Sequence, residues 1–300
     1  MRYVFIVNPT AGKKNAYYTV FPAIREYFDA NGMEFSCHIT EKPNHATQLV
    51  KIESLKGDPV RIYALGGDGT LSETAAGAIG RKNVEIGIFP CGSGNDYIKT
   101  FGESSCFLSL KKQLDAKSRP VDMIHSDGRY SINLCSVGLD ARVAYEMVKF
   151  KKVPLISGSM AYNFAILKVL AGKIGEHLEI LIDGVKKYDD IYLFALAGSG
   201  KYYGGGYCGA PLAIPDDGLL DFVLVKKPPM YKIPSLITVY KNGGHLESKK
   251  FESLLTFCRG KRMEIKAPEH AIANFDGECS IIDKLYYEVV PAAVNFIVPV

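Results

Sequence analysis

The apolar positions of this chain change period several times. RYVFIVNP, residues 2–9, is an unbroken apolar run halted by Asn8 and Pro9, which predicts a buried strand. From Tyr17 to Asn31 the apolar residues fall at helical spacing and stop at Gly32, so one helix is expected there. The alternation continues. EFSCHIT predicts a strand, the stretch from Pro43 to Lys56 a helix, VRIYAL a strand, Thr70 to Ile79 a helix, and VEIGIFP a strand. Strands alternating with helices imply a parallel sheet covered on both faces, with ligands bound beyond the carboxyl ends of its strands.

After about Pro120 the texture becomes β-rich. VDMIHSDGRYSINLCSVG, HLEILIDGVKKYDDIYLFALAGSG, LLDFVLVK and KRMEIKA predict strands, with turns at Asp127-Gly128 and Asp183-Gly184. One clear helical interval, Ser159 to Leu170, interrupts them. The expected fold class is therefore α/β: an N-terminal parallel-sheet domain, residues 1–120, followed by a mostly antiparallel β domain, residues 121–289. The closing VNFIVPV reads as a strand, and residues 290–300 are a candidate completion of the first domain.

Three hundred residues, 47% hydrophobic and 23% charged, suit two globular domains with a substantial core. The first apolar run is too short for a signal peptide, and no stretch reaches the roughly 18 uncharged apolar residues of a membrane span. A cytoplasmic protein is expected. Seven cysteines without a CxxC pair indicate neither a disulfide framework nor a zinc site. A net charge of +4 is too small for a dedicated nucleic-acid binder, so no nucleic-acid partner is expected. Basic clusters at Lys149, Lys151 and Lys152, at Lys186 and Lys187, at Lys226 and Lys227, and at Lys249 and Lys250 would favour an anionic membrane surface if the fold gathers them on one side.

Three loops carry candidate chemistry. Gly66-Gly67-Asp68-Gly69-Thr70 lies where a strand ends and a helix begins, a position where glycines let backbone N–H groups approach phosphate oxygens and the helix dipole favours an anion. A tight turn cornered at Asp68-Gly69 is the plainer alternative. Pro90-Cys91-Gly92-Ser93-Gly94-Asn95-Asp96 follows the next strand and should emerge on the same edge. Asn8-Pro9-Thr10-Ala11-Gly12-Lys13 occupies that edge as well, offering hydroxyl, amide and cationic groups. Neither GxxxxGK[ST] nor GxGxxG is present.

Those loops, together with Tyr203-Gly204-Gly205-Gly206, the PDDGLLD run from Pro215 to Asp221, and Asp276-Gly277-Glu278, resemble the diacylglycerol kinase catalytic family over nearly the whole chain. The resemblance implies an ATP-dependent lipid kinase with an α/β nucleotide domain and a β-sandwich-like second domain. It assigns ATP contacts to Asn8, Pro9, Thr10, Ala11 and Gly12, to Thr40, to the run Gly66, Gly67, Asp68, Gly69, Thr70, Leu71 and Ser72, and to Ser93. Lys13, Asn95 and Asp96 would join the same polar network. It also implies Mg²⁺ held by Asp217 and backbone carbonyls at Ile214 and Leu219; a surface turn at Asp217-Gly218 is the alternative. Asp276 or Glu278 would serve as the acceptor's general base, with Asp276 preferred, although Asp276-Gly277 by itself reads as a hairpin turn. Asp122 matches a family aspartate, Asn133 falls in a family-like strand, and Lys99 stands where relatives often have arginine.

The implied acceptor is a membrane lipid, diacylglycerol by default, reached by peripheral contact at an anionic bilayer; a homodimer fits the family. Two rival readings are a small-molecule kinase of the NAD kinase type and a catalytically silent nucleotide- or lipid-binding protein. PDDGLLD and the Gly-Asn-Asp loop weigh against the first rival. The acids Asp68, Asp217, Asp276 and Glu278 weigh against the second.

Overall fold

The structure is a computed structural model that describes residues 1–12, 15–151, 158–172, 174–282 and 285–300. They form two units: Met1–Met123 with Pro215–Asp217 and Val290–Val300, and Ile124–Ile214 with Gly218–Val289. Lys13, assigned to the phosphate network, and Lys152, part of a basic cluster, lie outside the described residues.

The first unit contains, in chain order, β1 (Arg2–Val7), α1 (Ala16–Thr19), α2 (Phe21–Ala30), β2 (Ser36–Ile39), α3 (His45–Ser54), β3 (Val60–Gly66), α4 (Asp68–Ala78), β4 (Val84–Pro90), α5 (Leu110–Asp115) and most of β5 (Ser118–Ser126). Strands β2, β1, β3 and β4 lie side by side in that order, all parallel. Helices cover both faces, which is why β1 and β3 are nearly continuous apolar runs with Val4–Val7 and Ile62–Leu65 almost fully buried. Phe5, Phe21, Phe28, Tyr63 and Phe89 share one of these cores, with Phe5 stacked on Tyr63 at 5.6 Å between ring centroids.

The helix expected from Tyr17 to Asn31 is two helices. The break falls at Val20, just before Pro22, whose ring and missing N–H suit the first turn of α2 but not the interior of a longer helix. The chain passes from β1 to β2 on one side and then to β3 on the other. That reversal opens a crevice beyond the carboxyl ends of β1 and β3.

The second unit contains the end of β5, then β6 (Arg129–Ser131), β7 (Leu134–Gly138), α6 (Leu139–Lys151), α7 (Gly158–Leu170), β8 (Glu176–Ile182), β9 (Lys186–Gly198), β10 (Tyr202–Tyr203), β11 (Tyr207–Cys208), β12 (Leu220–Lys226), α8 (Ile233–Lys241), β13 (Leu255–Gly260), β14 (Arg262–Lys266), β15 (Ala271–Phe275), β16 (Glu278–Ile282) and the first part of β17 (Leu285–Ile297). Its strand pairs are antiparallel. Alternate residues of β9 and β12 feed two separate cores. Ala195, Ala197, Leu220, Phe222 and Leu224 enter one, and Phe194, Leu196, Val223 and Val225 enter the other beneath α8. Asp127-Gly128, Asp183-Gly184 and Asp276-Gly277 all have positive φ at both residues, as tight hairpin turns require.

Strand β17 serves each unit with a different end. Leu285–Glu288 pair with β14, whereas Asn295 and Phe296 add parallel to β4, so the closing strand belongs to the first unit's sheet. Two helices beyond the one expected in the β-rich half are present, α6 and α8. Leu139, Val143, Met147 and Phe150 supply the helical spacing of α6, and Pro234 opens α8. Asn133 lies in the bend before β7 rather than in a strand.

At the start of α6, Asp140 joins a chain of hydroxyls. Its Oδ1 accepts the Ala141 N–H at 2.8 Å and its Oδ2 accepts the Tyr203 hydroxyl at 3.2 Å, while the Tyr203 and Tyr240 hydroxyls lie 3.1 Å apart. Burial pushes its carboxyl up to about 6, against the hydrogen bonds that favour the charged form. A raised carboxyl pKa means that the folded state binds the proton more tightly than the unfolded chain. Its stabilising contribution is complete below about pH 3.8 and is lost as pH rises through about 6. Asp140→Asn should therefore melt higher than wild type at pH 7.5, by up to about 3 kcal/mol of stability, with the advantage vanishing by about pH 4. Thermal melts of both proteins across that range check it, and an unchanged gap would refute the linkage.

Candidate active site

Three loops leave the carboxyl ends of β1, β3 and β4 and are knitted together backbone to backbone. Cys91 and Gly92 donate N–H bonds to the Gly66 carbonyl at 2.8 and 3.2 Å. A Cβ on Gly92 would lie 2.5 Å from Gly67 Cα, and one on Gly12 would clash with the Cys91 carbonyl oxygen. These glycines are therefore conditions of the loops' close approach rather than ordinary turn residues.

The side chains reinforce the same contacts. Asn8 accepts from the Thr10 N–H and hydroxyl at 3.0 and 2.8 Å and donates to Thr70 Oγ1 at 3.1 Å, tying the first loop to the second. Asn95 clips the third loop shut, accepting the Gly92 N–H at 3.1 Å and donating to the Gly92 carbonyl at 2.9 Å. Asp68 opens α4, and its Oδ1 accepts the N–H groups of Asp96 and Tyr97 at 2.7 and 3.3 Å. Burial and then the Asp96 charge push the Asp68 carboxyl upward, opposed by those N–H donors. Lys99 Nζ sits 2.5 Å from Asp96 Oδ1, so the lysine where relatives often have arginine makes an ion pair within this network.

The expected ATP contacts divide by exposure. Thr10, Gly12, Gly69 and Ser93 face solvent at this edge, while Pro9, Ala11, Gly67, Asp68 and Ser72 are half-buried. Thr40 follows β2 and donates its N–H to the Val7 carbonyl at 2.9 Å. Leu71 differs from the expectation: its side chain is in the core and its N–H is bonded to the Gly67 carbonyl, so it supports the loop from behind.

In the second unit the Asp276-Gly277-Glu278 tripeptide turns the β15–β16 hairpin. Asp276 Oδ2 accepts the Ile132 N–H at 2.7 Å, and Oδ1 accepts those of Asn133 and Leu134 at 3.1 and 2.9 Å. Its own N–H donates to the Leu134 carbonyl at 3.1 Å. Three backbone donors thus compete for the lone pairs that proton abstraction would need, which weighs against the preference for Asp276 as base. Glu278, first residue of β16, is exposed. Asn133 extends the same anchor, donating from Nδ2 to the Tyr202 carbonyl at 2.8 Å beside the Tyr203-to-Gly206 turn. Asp140 was not among the residues expected from sequence; a carboxylate two residues after the buried run LCSVG was the available signal.

The Ile214–Leu219 loop is the one through which Pro215–Asp217 join the first unit. The Pro215 carbonyl accepts the Asp122 N–H at 2.7 Å, and Asp122 Oδ1 in turn accepts the Ala292 N–H at 2.8 Å. Asp216 lies 3.5 Å from Arg119, whereas Asp217 and Ile214 are exposed and Gly218 has φ +73°. Among the described residues no group of three or more His, Cys, Asp or Glu side chains could hold a metal. One carboxylate with carbonyl oxygens still fits a hard cation such as Mg²⁺, the carbonyl-rich ligation that the resemblance implies.

Residues 2–126 match the diacylglycerol kinase catalytic domain, and residues 133–298 match the YegS C-terminal NAD kinase beta sandwich-like domain. A protein named diacylglycerol kinase from Bacillus subtilis (strain 168) is 25% identical over 276 residues, 91% of this chain and 88% of its own length. A probable lipid kinase YegS-like from Shewanella frigidimarina (strain NCIMB 400) is 30% identical over 255 residues, covering 82% of this chain and 79% of the relative. The crystal structure of a putative diacylglycerol kinase from Bacillus anthracis str. Sterne superposes with a TM-score of 0.78 at 23% identity, over 99% of this chain and 96% of that one, which establishes the shared fold. With both halves matched in order and the glycine loops assembled at the sheet's switch point, the chain belongs to the diacylglycerol kinase catalytic-domain family of lipid kinases.

Proposed function

We propose that this enzyme transfers the γ-phosphoryl group of ATP to the hydroxyl of diacylglycerol in an anionic bilayer, giving phosphatidic acid. The observation that carries the reading is the triple-loop edge of the first unit. Backbone N–H groups, a helix N-terminus and the half-buried Asp68 meet there at the switch point of a parallel sheet. Diacylglycerol is favoured over other lipid alcohols by the names of similar proteins from Bacillus and Staphylococcus. An NAD kinase-type reaction has less support, since the similar curated proteins are named as lipid kinases. The protein is proposed to act from the cytoplasmic side, touching the membrane transiently; no helix among the described residues is long and apolar enough to cross it.

In this reaction the chain's main work is positioning. Thr10, Gly12, Gly69 and Ser93 offer N–H and hydroxyl donors to the phosphates, and Asp68 holds the third loop against the second. Mg²⁺, when bound, neutralises charge or braces the Asp217 loop; Asp217 with the Ile214 and Leu219 carbonyls would hold it at that loop. Glu278, an exposed residue at the head of β16, is assigned the acceptor's proton, since three N–H donors engage the Asp276 carboxylate. Asp276 is the positioning residue that fixes the hairpin presenting Glu278.

Incubating the protein with γ-labelled ATP and a total lipid extract, then identifying the labelled species by mass spectrometry, tests the assignment. Labelled phosphatidic acid is expected, and labelling of NAD alone would overturn it. Glu278→Gln should lower kcat by about 10²–10⁴-fold without changing ATP Kd. Asp276→Asn should instead destabilise the fold by about 1–3 kcal/mol, because an amide in place of one carboxylate oxygen leaves a buried N–H unsatisfied. A stable Asp276→Asn protein with the larger kcat loss would return the base role to Asp276.

Asp68→Asn should remain folded, since an amide oxygen can still accept the Asp96 N–H, yet lose most turnover. Near-normal activity in a folded variant would remove Asp68 from the machinery. For the metal loop, Mg²⁺ should raise the Tm of wild type but not of Asp217→Ala. Equal Mg²⁺ protection of both would leave PDDGLLD as a turn.

A further inference from the structure

The turn between β10 and β11 has three glycines at its tip, Gly204, Gly205 and Gly206 with φ of +59°, +82° and +108°, and bonded groups at its base. The Tyr202 carbonyl accepts from Asn133 Nδ2 at 2.8 Å, and the Tyr203 hydroxyl donates to Asp140 Oδ2 at 3.2 Å with the Tyr240 hydroxyl 3.1 Å behind it. Gly209 leaves room for that second hydroxyl, since a Cβ there would come within 2.7 Å of it. Asn133 also gives its backbone N–H to Asp276 Oδ1 at 3.1 Å, and its carbonyl accepts the N–H groups of Ser199 and Gly200 at 2.9 and 3.1 Å. The glycine turn and the Asp276-Gly277-Glu278 hairpin therefore hang from one short segment.

Asp140 is half-buried among groups that keep one charge state near neutral pH. Strand β7 supplies the Ser136 hydroxyl, β10 and α8 the two tyrosines, β16 Cys279, whose Sγ lies 3.5 Å from the Ala141 carbonyl oxygen, and β17 Tyr287. Burial and then the Asp140 charge push the Cys279 thiol up to about 12, with Glu278 adding to the effect, and burial together with Cys135 and Asp140 holds Tyr287 well above its ordinary value. His245, 4.5 Å from the Tyr240 ring between centroids, is pushed down to about 4 by burial. Arg142 lies 4.0 Å from Glu176, Lys168 of α7 is paired with Glu146 at 2.7 Å, and the β9 and β15 residues that pair with β7 are uncharged. Among these described groups, Asp140 is the one that changes charge between pH 5 and 8.

The Tyr203 hydroxyl has one proton to give. While Asp140 is ionised that proton goes to the carboxylate, and Tyr240 must donate to Tyr203. A hydroxyl bonded to an ionised carboxylate is held about twice as strongly as one bonded to a neutral group, so the Tyr203 bond favours the charged form and weakens when Asp140 takes up a proton. The fold as a whole has the opposite preference, because burial favours the neutral carboxyl. We infer that Asp140 is a pH-sensitive positioning residue: ionised, it draws Tyr203 and the glycine turn into the network that fixes the Asp276-Gly277-Glu278 hairpin, and on protonation it releases them. For its effect on turnover the inference rests on the reading of Glu278 as base, to which it adds the residue that makes the hairpin's hold depend on pH.

Hydrogen–deuterium exchange of the peptide spanning Tyr202–Cys208, corrected for the intrinsic effect of pH, tests the hold on the turn; the Gly206 N–H, bonded to the Tyr203 carbonyl at 3.2 Å, is the reporter. In wild type this exchange should slow about fivefold between pH 5 and pH 7.5, the window set by a carboxyl titrating at about 6. Asp140→Asn and Tyr203→Phe should each exchange alike at both pH values, at about the wild-type pH 5 rate. With a short-chain, water-dispersed diacylglycerol and saturating ATP, wild-type kcat should fall as pH drops through about 6. Asp140→Asn should show a kcat lowered about fivefold at pH 7.5, no break near pH 6, and an unchanged ATP Kd.

A purely structural carboxyl would make the turn follow the melting temperature. Here the two move in opposite directions: Asp140→Asn should melt higher than wild type at pH 7.5 while its turn exchanges faster. Turn exchange that is independent of pH in wild type, or equal in wild type and Asp140→Asn at pH 7.5, would overturn the proposal. So would a wild-type kcat that is level across pH 6, or a break there that persists in Asp140→Asn. The exchange measurement needs neither ATP nor lipid. Wild-type turnover in Glu278→Gln would therefore overturn the base reading and with it the effect on turnover, while pH-dependent exchange would still support the hold of Asp140 on Tyr203.

Discussion

The first unit depends on backbone passing against backbone without intervening side chains. Gly67 and Gly92 come so close that either Cβ would press on the other glycine, and Gly12 closes on Cys91 from a third side. With those contacts made, Asp68 can reach across to the Asp96 and Tyr97 N–H groups and hold one loop to the next. The arrangement buries Asp96, the ion-pair partner of Lys99, and sets the half-buried Asp68 beside it. Burial and then the Asp96 charge raise the Asp68 carboxyl, against the N–H donors that favour its charged form.

The second unit solves the same positioning problem with one carboxylate and three N–H groups. A hairpin turn on its own is a mobile tip, yet Asp276 fastens this one to residues 132–134 by four bonds that include its own N–H. The neighbouring Glu278 can therefore be exposed and still be held in a fixed place, as a general base must be. Under the proposed reaction, the two acids flanking Gly277 have different duties, Asp276 as anchor and Glu278 as base. An acid that anchors a turn and an acid that accepts a proton cannot easily be the same group.

Much of this was legible in the sequence, for identifiable reasons. Apolar runs stopped at Gly66 and at Pro90 announced β3 and β4, and their common edge followed from alternation with helices. The order of motifs announced the family. What the sequence hid was tertiary. Nothing local distinguishes Asp276 from Glu278, because the donors that occupy Asp276 lie more than 140 residues earlier. Leu71 belongs to a binding motif by position and to the core by helical phase. The α1–α2 break was written in Pro22, but apolar spacing continuing across it outweighed that signal. Helix α6 was obscured because its apolar stripe follows directly on the strand LCSVG without a turn signal between them.

A direct junction also seats the α6–α7 pair on the unit. Gly138 ends β7 at φ +112°, where a Cβ would lie 2.6 Å from the Leu193 carbonyl oxygen, so the strand passes into α6 against β9 with no slack loop. Asp140, one residue into the helix, then bonds to Tyr203 and through it approaches Tyr240 of α8. Burying a carboxyl whose pKa rises to about 6 opposes stability at neutral pH, yet it fixes the first turn of α6 to two other elements. Since α7 is seated on α6, its orientation is inherited from that anchor.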